Sequence, residues 1–193
     1  MKLQLDIGCS GFTRTWDGYD AWGIDIVDHT GEPDAKQIVK ADLTFDRIPF
    51  EDNHFDLVTA YDFLEHLPMV TYDYEAIWVN GVTEPILDIR RVRRAVMVEL
   101  FNEVYRVLRH DGRFFIQSPC YPDRSVFQDP EHLSFWTDET LRYFTGDYYG
   151  FHDHKSHTSR FELLDQHTQN GHLLATIRAI KDRPSGDPYL ISY

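Results

Sequence analysis

The stretch from Lys2 to Ile26 limits the fold more than any other. It reads K-L-Q-L-D-I-G-C-S-G-F, then a short aromatic-rich link, then W-G-I-D-I. An apolar run ends in an acid and a glycine turn, and a second apolar run ends in another acid, Asp25, about twenty residues on. That order, strand, turn, strand, acid, marks the nucleotide-binding edge of a doubly wound sheet. Gly8 lets backbone N–H groups approach a ligand that a Cβ would hold off. The two oxygens of Asp25 can accept from both hydroxyls of a ribose.

The remaining chain reads as completing that pocket. Leu3, Leu5 and Ile7 form the first strand, Ile24 and Ile26 the second, and Ile38 and Val39 a brief third that ends at Asp42. Parallel strands usually need a dozen or more residues between them. Phe12 to Asp20 is too short for a crossover helix, and Asp28 to Lys36 has turn chemistry without helical period. One half of the sheet is therefore expected to be thinly covered, with Trp16, Tyr19 and Trp22 lying over it or meeting a partner chain, which leaves a homodimer open. Pro49 and E-D-N form a turn before a buried strand over Phe55–Ala60, and Tyr61 to Leu67 starts a short helix with Asp62 near its first turn. Residues 68–85 read as an inserted loop with an Asn80–Gly81 turn. Apolar residues at Ile89, Val92, Val96, Leu100, Val104 and Val107 predict a helix over 86–108, closed by Gly112. A fifth strand follows over Phe114–Ser118, then a loop over Ser125–Ser134. Thr137 caps a helix carrying Leu141, Tyr143 and Phe144. Arg160–Asp165 and His172–Ile180 flank Asn170–Gly171, a hairpin signal.

The fold class is thus α/β: a doubly wound, mostly parallel sheet with a C-terminal antiparallel hairpin and the first crossover helices short or absent. The 193 residues suit one domain with an insertion at about 68–85. The net charge of −13 disfavours a long nucleic-acid substrate. With no apolar stretch of membrane length and no signal peptide, the chain is expected to be cytoplasmic, and Cys9 and Cys120 to be reduced.

The ordered segments L-D-I-G-C-S-G, G-I-D-I, A-D-L, P-F-E-D-N-H-F-D-L-V, D-F-L-E-H-L and E-V-Y-R-V-L-R-H-D-G-R-F-F-I-Q-S-P resemble the class I S-adenosylmethionine-dependent methyltransferases. The resemblance runs from Lys2 to Phe144 and implies a Rossmann-like enzyme with S-adenosyl-L-methionine as cofactor. It places Asp6, Gly8 and Cys9 at the methionine portion, Asp25 and Ile26 at the ribose, Asp42 and Leu43 at the adenine, and Ala60 and Tyr61 near the methionine ammonium. The glycine turn departs from the family's D-x-G-x-G-x-G: Ser10 and Phe12 take the second and third glycine positions, and Gly11 lies one residue off. That argues against a dinucleotide, whose pyrophosphate wants glycines and a helix N-terminus aimed at it.

Transfer of an activated methyl group asks the protein mainly to align donor and acceptor. A base helps if the acceptor is a hydroxyl. His132, in D-P-E-H-L after the fifth strand, is the first candidate, against a plain role of bonding the loop to the next helix. His66 is the second, against a role in bracing its own helix with Glu65. No metal site is expected: His152, His154 and His157 have ligand-like spacing but no cysteine or helix to fix them. The run Arg90, Arg91, Arg93 and Arg94 reads as a solvated helix face, or as recognition of an acidic acceptor. The function read from this is methyl transfer to a small-molecule or glycan acceptor. The rivals are a nicotinamide-dependent oxidoreductase, which leaves Asp42 unexplained, and a non-catalytic module that keeps the fold.

Overall fold

The computed structural model describes residues 1–32, 37–77, 86–146 and 158–181, and for 72–77 and 86–93 the backbone only. Asn80–Gly81, His152, His154, His157 and part of the 28–36 link lie outside the described residues.

Seven strands form one sheet in the order β3-β2-β1-β4-β7-β9-β8. β1 (Lys2–Ile7), β2 (Tyr19–Asp25), β3 (Ile38–Lys40), the central β4 (Phe55–Tyr61) and β7 (Leu108–Pro119) run parallel. β8 (Phe161–Gln169) and β9 (His172–Ala179) are the antiparallel hairpin, with Asn170 and Gly171 both at positive φ in its turn. The order reverses between β1 and β4, where Ile7 lies opposite Ala60. The carboxyl ends of those two strands therefore open a crevice, the place where open α/β sheets bind ligands.

No helix covers the first link. Gln4 and Asp6 hold it down instead: Gln4 Oε1 accepts from the Trp16 backbone at 2.8 Å, and Asp6 Oδ2 from the Arg14 backbone at 2.8 Å. Trp16 then lies edge-on to Phe115 at 5.5 Å and donates its indole N–H to Tyr61 Oη at 2.8 Å. Trp22 packs edge-on to Phe50, which in turn meets Phe55. Aromatic side chains do the covering that a crossover helix does elsewhere.

The expected helix over 86–108 divides. β6 (Ile86–Arg94) pairs antiparallel with β5 (Thr71–Ile77) as a separate hairpin, and only Val96–Val107 is the helix α1. The basic run thus lies on a strand, not a helix face, and Arg94 pairs with Glu99. Gly112 does not close α1 either. Leu108 is already extended, and the left-handed residue is Asp111, at φ 61°. Phe101 anchors α1 to the core, stacked on Phe144 at 3.7 Å and edge-on to Phe114 at 5.6 Å. The helix expected after Thr137 shrinks to one turn, α3 (Arg142–Thr145), closed by Gly146 at φ 84°. The loop after β7 holds a single turn, α2 (Ser125–Gln128). Among the described residues no helix is long and apolar enough to cross a membrane.

Candidate active site

A cleft of about 540 Å³ opens over the carboxyl ends of β1, β2 and β4, within the roughly 300–1,000 Å³ of small-molecule sites. Gly8 and Ser10 form its floor, Asp25 and Ile26 one side, Asp42 and Leu43 the far end. Phe63, against Gly8, completes the lining with His66 and Glu131. A smaller hollow of about 270 Å³ lies against α1, among Asp46, Arg47, Glu99 and Glu103, and shares Leu43 and Thr44 with the cleft.

Gly8 is at φ 70°, and a Cβ there would lie 2.1 Å from Phe63 Cδ2. The turn is therefore glycine both for its conformation and for the ring beside it. Ser10 takes a left-handed φ of 51° in place of a second glycine. Its backbone N–H donates to Asp25 Oδ2 at 2.6 Å, while Val27 N–H donates to Asp25 Oδ1 at 2.8 Å. Asp25 thereby ties the glycine turn to the end of β2, and each oxygen keeps a further lone pair. Asp42 Oδ1 accepts from the Thr44 backbone at 2.9 Å, which holds the loop after β3 against the cleft.

Asp6, Cys9, Ala60 and Tyr61 stand behind the lining. Asp6 Oδ1 accepts from Thr59 Oγ1 at 2.7 Å, and burial raises its pKa against those two hydrogen bonds. Burial likewise pushes the Cys9 thiol up to about 11, so it is no thiolate at neutral pH. Tyr61 faces Trp16 and the Arg14 guanidinium, which lies 4.7 Å from its ring centroid.

His29 is a cleft residue the sequence did not single out. Gly11 makes room for it, since a Cβ there would lie 2.8 Å from the ring. Its Nε2 is buried without a hydrogen-bond partner, 3.7 Å from Asp25 Oδ1. A ligand hydroxyl beside Asp25 would satisfy that orphan atom, so the residues present fit a ribose-bearing cofactor.

The two candidate bases are neighbours. His66 ends the 3-10 turn Leu64–His66 and lines the cleft. His132 stands behind it, ring centroids 5.1 Å apart and edge to face. The His132 side chain is 8% exposed, and its Nδ1 meets Val126 O at 3.0 Å. A carbonyl only accepts, so Nδ1 carries the proton. That contact braces the loop, and His66 is the imidazole on the cleft wall. Beside them Glu65 is buried, accepting from Ser118 Oγ at 3.0 Å, and burial raises its pKa against that bond.

Fold and cleft together define an α/β enzyme that binds a nucleoside-bearing small molecule. The family model for the methyltransferase domain matches residues 5–116, more than half of the chain. The chain belongs to that family: it is a class I methyltransferase, and its methyl donor is S-adenosylmethionine. Among solved structures it is similar to a SAM-dependent methyltransferase of Methanosarcina mazei, at 14% identity over 94% of this chain and 93% of that one, TM-score 0.56. It is similar also to those of Archaeoglobus fulgidus (16% identity, 92% and 86% covered, TM-score 0.53) and Aquifex aeolicus (12%, 93% and 82%, TM-score 0.52). At such identities the likeness is one of fold. No curated protein sequence matches the chain.

Proposed function

We propose that this methyltransferase acts on a hydroxyl of a small molecule or glycan. The observation that supports this reading is the wall formed by His66 and Glu131, which edges an open cleft with polar groups able to meet a hydroxyl and its departing proton. The cofactor supplies a methyl group already activated on a sulfonium, for in-line displacement. Asp25 with His29 orients the ribose, Asp42 and Leu43 the adenine, and the Gly8–Ser10 turn the methionine end. Asp6, Cys9, Ala60 and Tyr61 support that floor from beneath. Exposed Tyr121, Phe127, Leu133 and Phe135, on the segment after β7, offer the acceptor an apolar platform. The net charge of −13 goes with a neutral or cationic acceptor better than with a nucleic acid.

The test is transfer of a labelled methyl group from S-adenosylmethionine to panels of hydroxylated small molecules and glycans, beside proteins and transfer RNA. Label on a hydroxyl of a small molecule or glycan is the expected result. Label confined to protein or RNA would overturn the acceptor class and leave the methyltransferase itself standing.

A further inference from the structure

We propose that Glu65, His66 and His132 form a binding site for one divalent first-row transition metal at the acceptor wall of the cleft. One ligand atom from each residue lies within 4.8 Å of the other two. Two imidazoles and one carboxylate are a donor set suited to zinc or iron(II), and they leave positions open for an outside oxygen.

Three observations separate this cluster from a chance gathering of polar groups. First, the carriers are laced together. Leu133 N–H and Ser134 N–H both donate to the Glu65 carbonyl, at 2.7 and 3.0 Å, and Ser134 Oγ donates to the Leu64 carbonyl at 2.9 Å. The loop bearing His132 is thus fixed to the turn bearing the other two. Second, each deep ligand has its supporting bond. His132 Nδ1–H on the Val126 carbonyl leaves Nε2 with its lone pair, and Ser118 Oγ–H orients the Glu65 carboxylate. Metal-ligating histidines and carboxylates are held in this way. Third, Glu65 is 2% exposed, and among the described residues no lysine or arginine pairs with it. A buried carboxylate without a cation is costly, and a metal ion supplies one.

Zinc bonds of about 2.0–2.2 Å need ligand atoms nearer together than 4.8 Å. His66 borders the open cleft, so a small turn of its ring closes the set. Asp129 Oδ2, 4.0 Å from His132 Nε2, is the competing partner: if Nε2 were protonated, the two would form an ion pair instead.

Metal binding stands on this geometry alone; what the metal does rests on the acceptor reading above. A hydroxyl oxygen bound to the ion would lose its proton to water, the O–H bond breaking and the electron pair staying on oxygen. No free imidazole is then needed as a base.

The test uses the full chain, stripped with a chelator and titrated with cobalt(II) alone. The expected result is one ion per chain, with visible absorption of a site of low coordination number that zinc(II) displaces. His66→Ala, on the cleft wall and outside the core, should weaken binding by at least 10-fold, and Glu65→Gln similarly. Circular dichroism confirms that each variant folds. Absence of cobalt binding by the wild type would overturn the inference, as would equal binding by both folded variants, which would put the ion elsewhere. Cofactor binding, measured separately by calorimetry on the stripped protein, tests the methyltransferase reading independently.

Discussion

Gly8 leaves the space that the ring of Phe63 fills: a Cβ built on Gly8 would lie 2.1 Å from Phe63 Cδ2. The turn after β1 and the second residue after β4 therefore fit only as a pair, across the switch point where open α/β sheets bind ligands. Gly8→Ala must place a side chain at φ 70°, costing about 1–2 kcal/mol, and must also displace the ring. The expected outcome is a lower melting temperature together with at least about a tenfold loss of S-adenosylmethionine affinity, one factor of ten being 1.4 kcal/mol. Thermal denaturation and titration calorimetry read the two effects. Unchanged cofactor affinity would mean that the Gly8–Phe63 contact serves folding alone.

Asp25 makes two bonds to backbone N–H groups, and a charged acceptor is worth about 1.5–3 kcal/mol per bond. Asp25→Ala should loosen the Ser10 turn and remove the proposed ribose partner at once. Asp25→Asn keeps one acceptor oxygen and the shape. Cofactor binding should fall in the order wild type, Asn, Ala. If His29 shares the ribose, His29→Ala should weaken the cofactor while leaving the melting temperature nearly unchanged. A melting temperature that falls while cofactor affinity stays level would make His29 a packing residue.

The Arg106 guanidinium ties the loop before β4 to α1. It donates to the Ile48 and Phe50 carbonyls at 2.7 Å each, and to Asp52 and Glu103 at 2.8 Å each. Burial works to raise the Glu103 pKa, but hydrogen bonds from Arg106 and Arg47 outweigh it, and the net shift is downward. A carboxylate whose folded pKa lies below its unfolded one stabilises the fold fully above the unfolded value, near 4.5. That stability is lost as pH falls through the folded pKa. Arg106→Ala should therefore destabilise the protein at neutral pH by at least about 1.5–3 kcal/mol, and should flatten the decline below pH 4.5. Urea denaturation from pH 7 to pH 3 gives both results. An equal deficit at every pH would assign the loss to the two carbonyl bonds alone.

The strand edges were legible because their signal is local. Leu3, Leu5 and Ile7 recur at the two-residue period of a strand, although Gln4 and Asp6 between them are buried too, and Asp25 stands at the spacing a ribose acid takes from a glycine turn. The hairpin β5–β6 was hidden because Ile86, Ile89 and Val92 fall at helical intervals by coincidence with the spacing of Val96 and Leu100. Its register, which sets Glu75 opposite Arg90, exists only between two strands and has no trace in either one. The site divides the same way. His29 lay in a D-H-T-G stretch that reads as a turn, and its approach to Gly11 is made by the fold. His132 and His66 were each picked out singly, while their contact with one another, and with Glu65, needs the loop after β7 to bond back to the turn after β4. The short first link was readable from length alone. That Trp16 and Trp22 would lie over the sheet in place of its helix was readable too; their partners Phe115 and Phe50 were not, because those contacts are made by the fold.

That replacement can be measured. Trp16 and Tyr61 meet through one hydrogen bond, indole N–H to phenol oxygen at 2.8 Å, and both rings lie against Phe115. Trp16→Phe keeps an aromatic ring over the sheet and removes the donor. Tyr61→Phe keeps its ring and removes the acceptor. Each should cost roughly 0.5–1.5 kcal/mol if the bond contributes as a neutral pair does, with Trp16→Phe losing some packing as well. The double variant should cost less than the sum, with a coupling of about the same size, because the second change removes a bond already gone. Trp16→Ala uncovers the sheet. It should cost more than Trp16→Phe, toward the roughly 3–5 kcal/mol of a buried aromatic truncation and short of it, since Trp16 is only half-buried. Equilibrium unfolding of the four proteins closes the cycle. Additive losses in the Trp16→Phe and Tyr61→Phe pair, with Trp16→Ala no worse than Trp16→Phe, would show that the aromatics rest on the sheet without holding it.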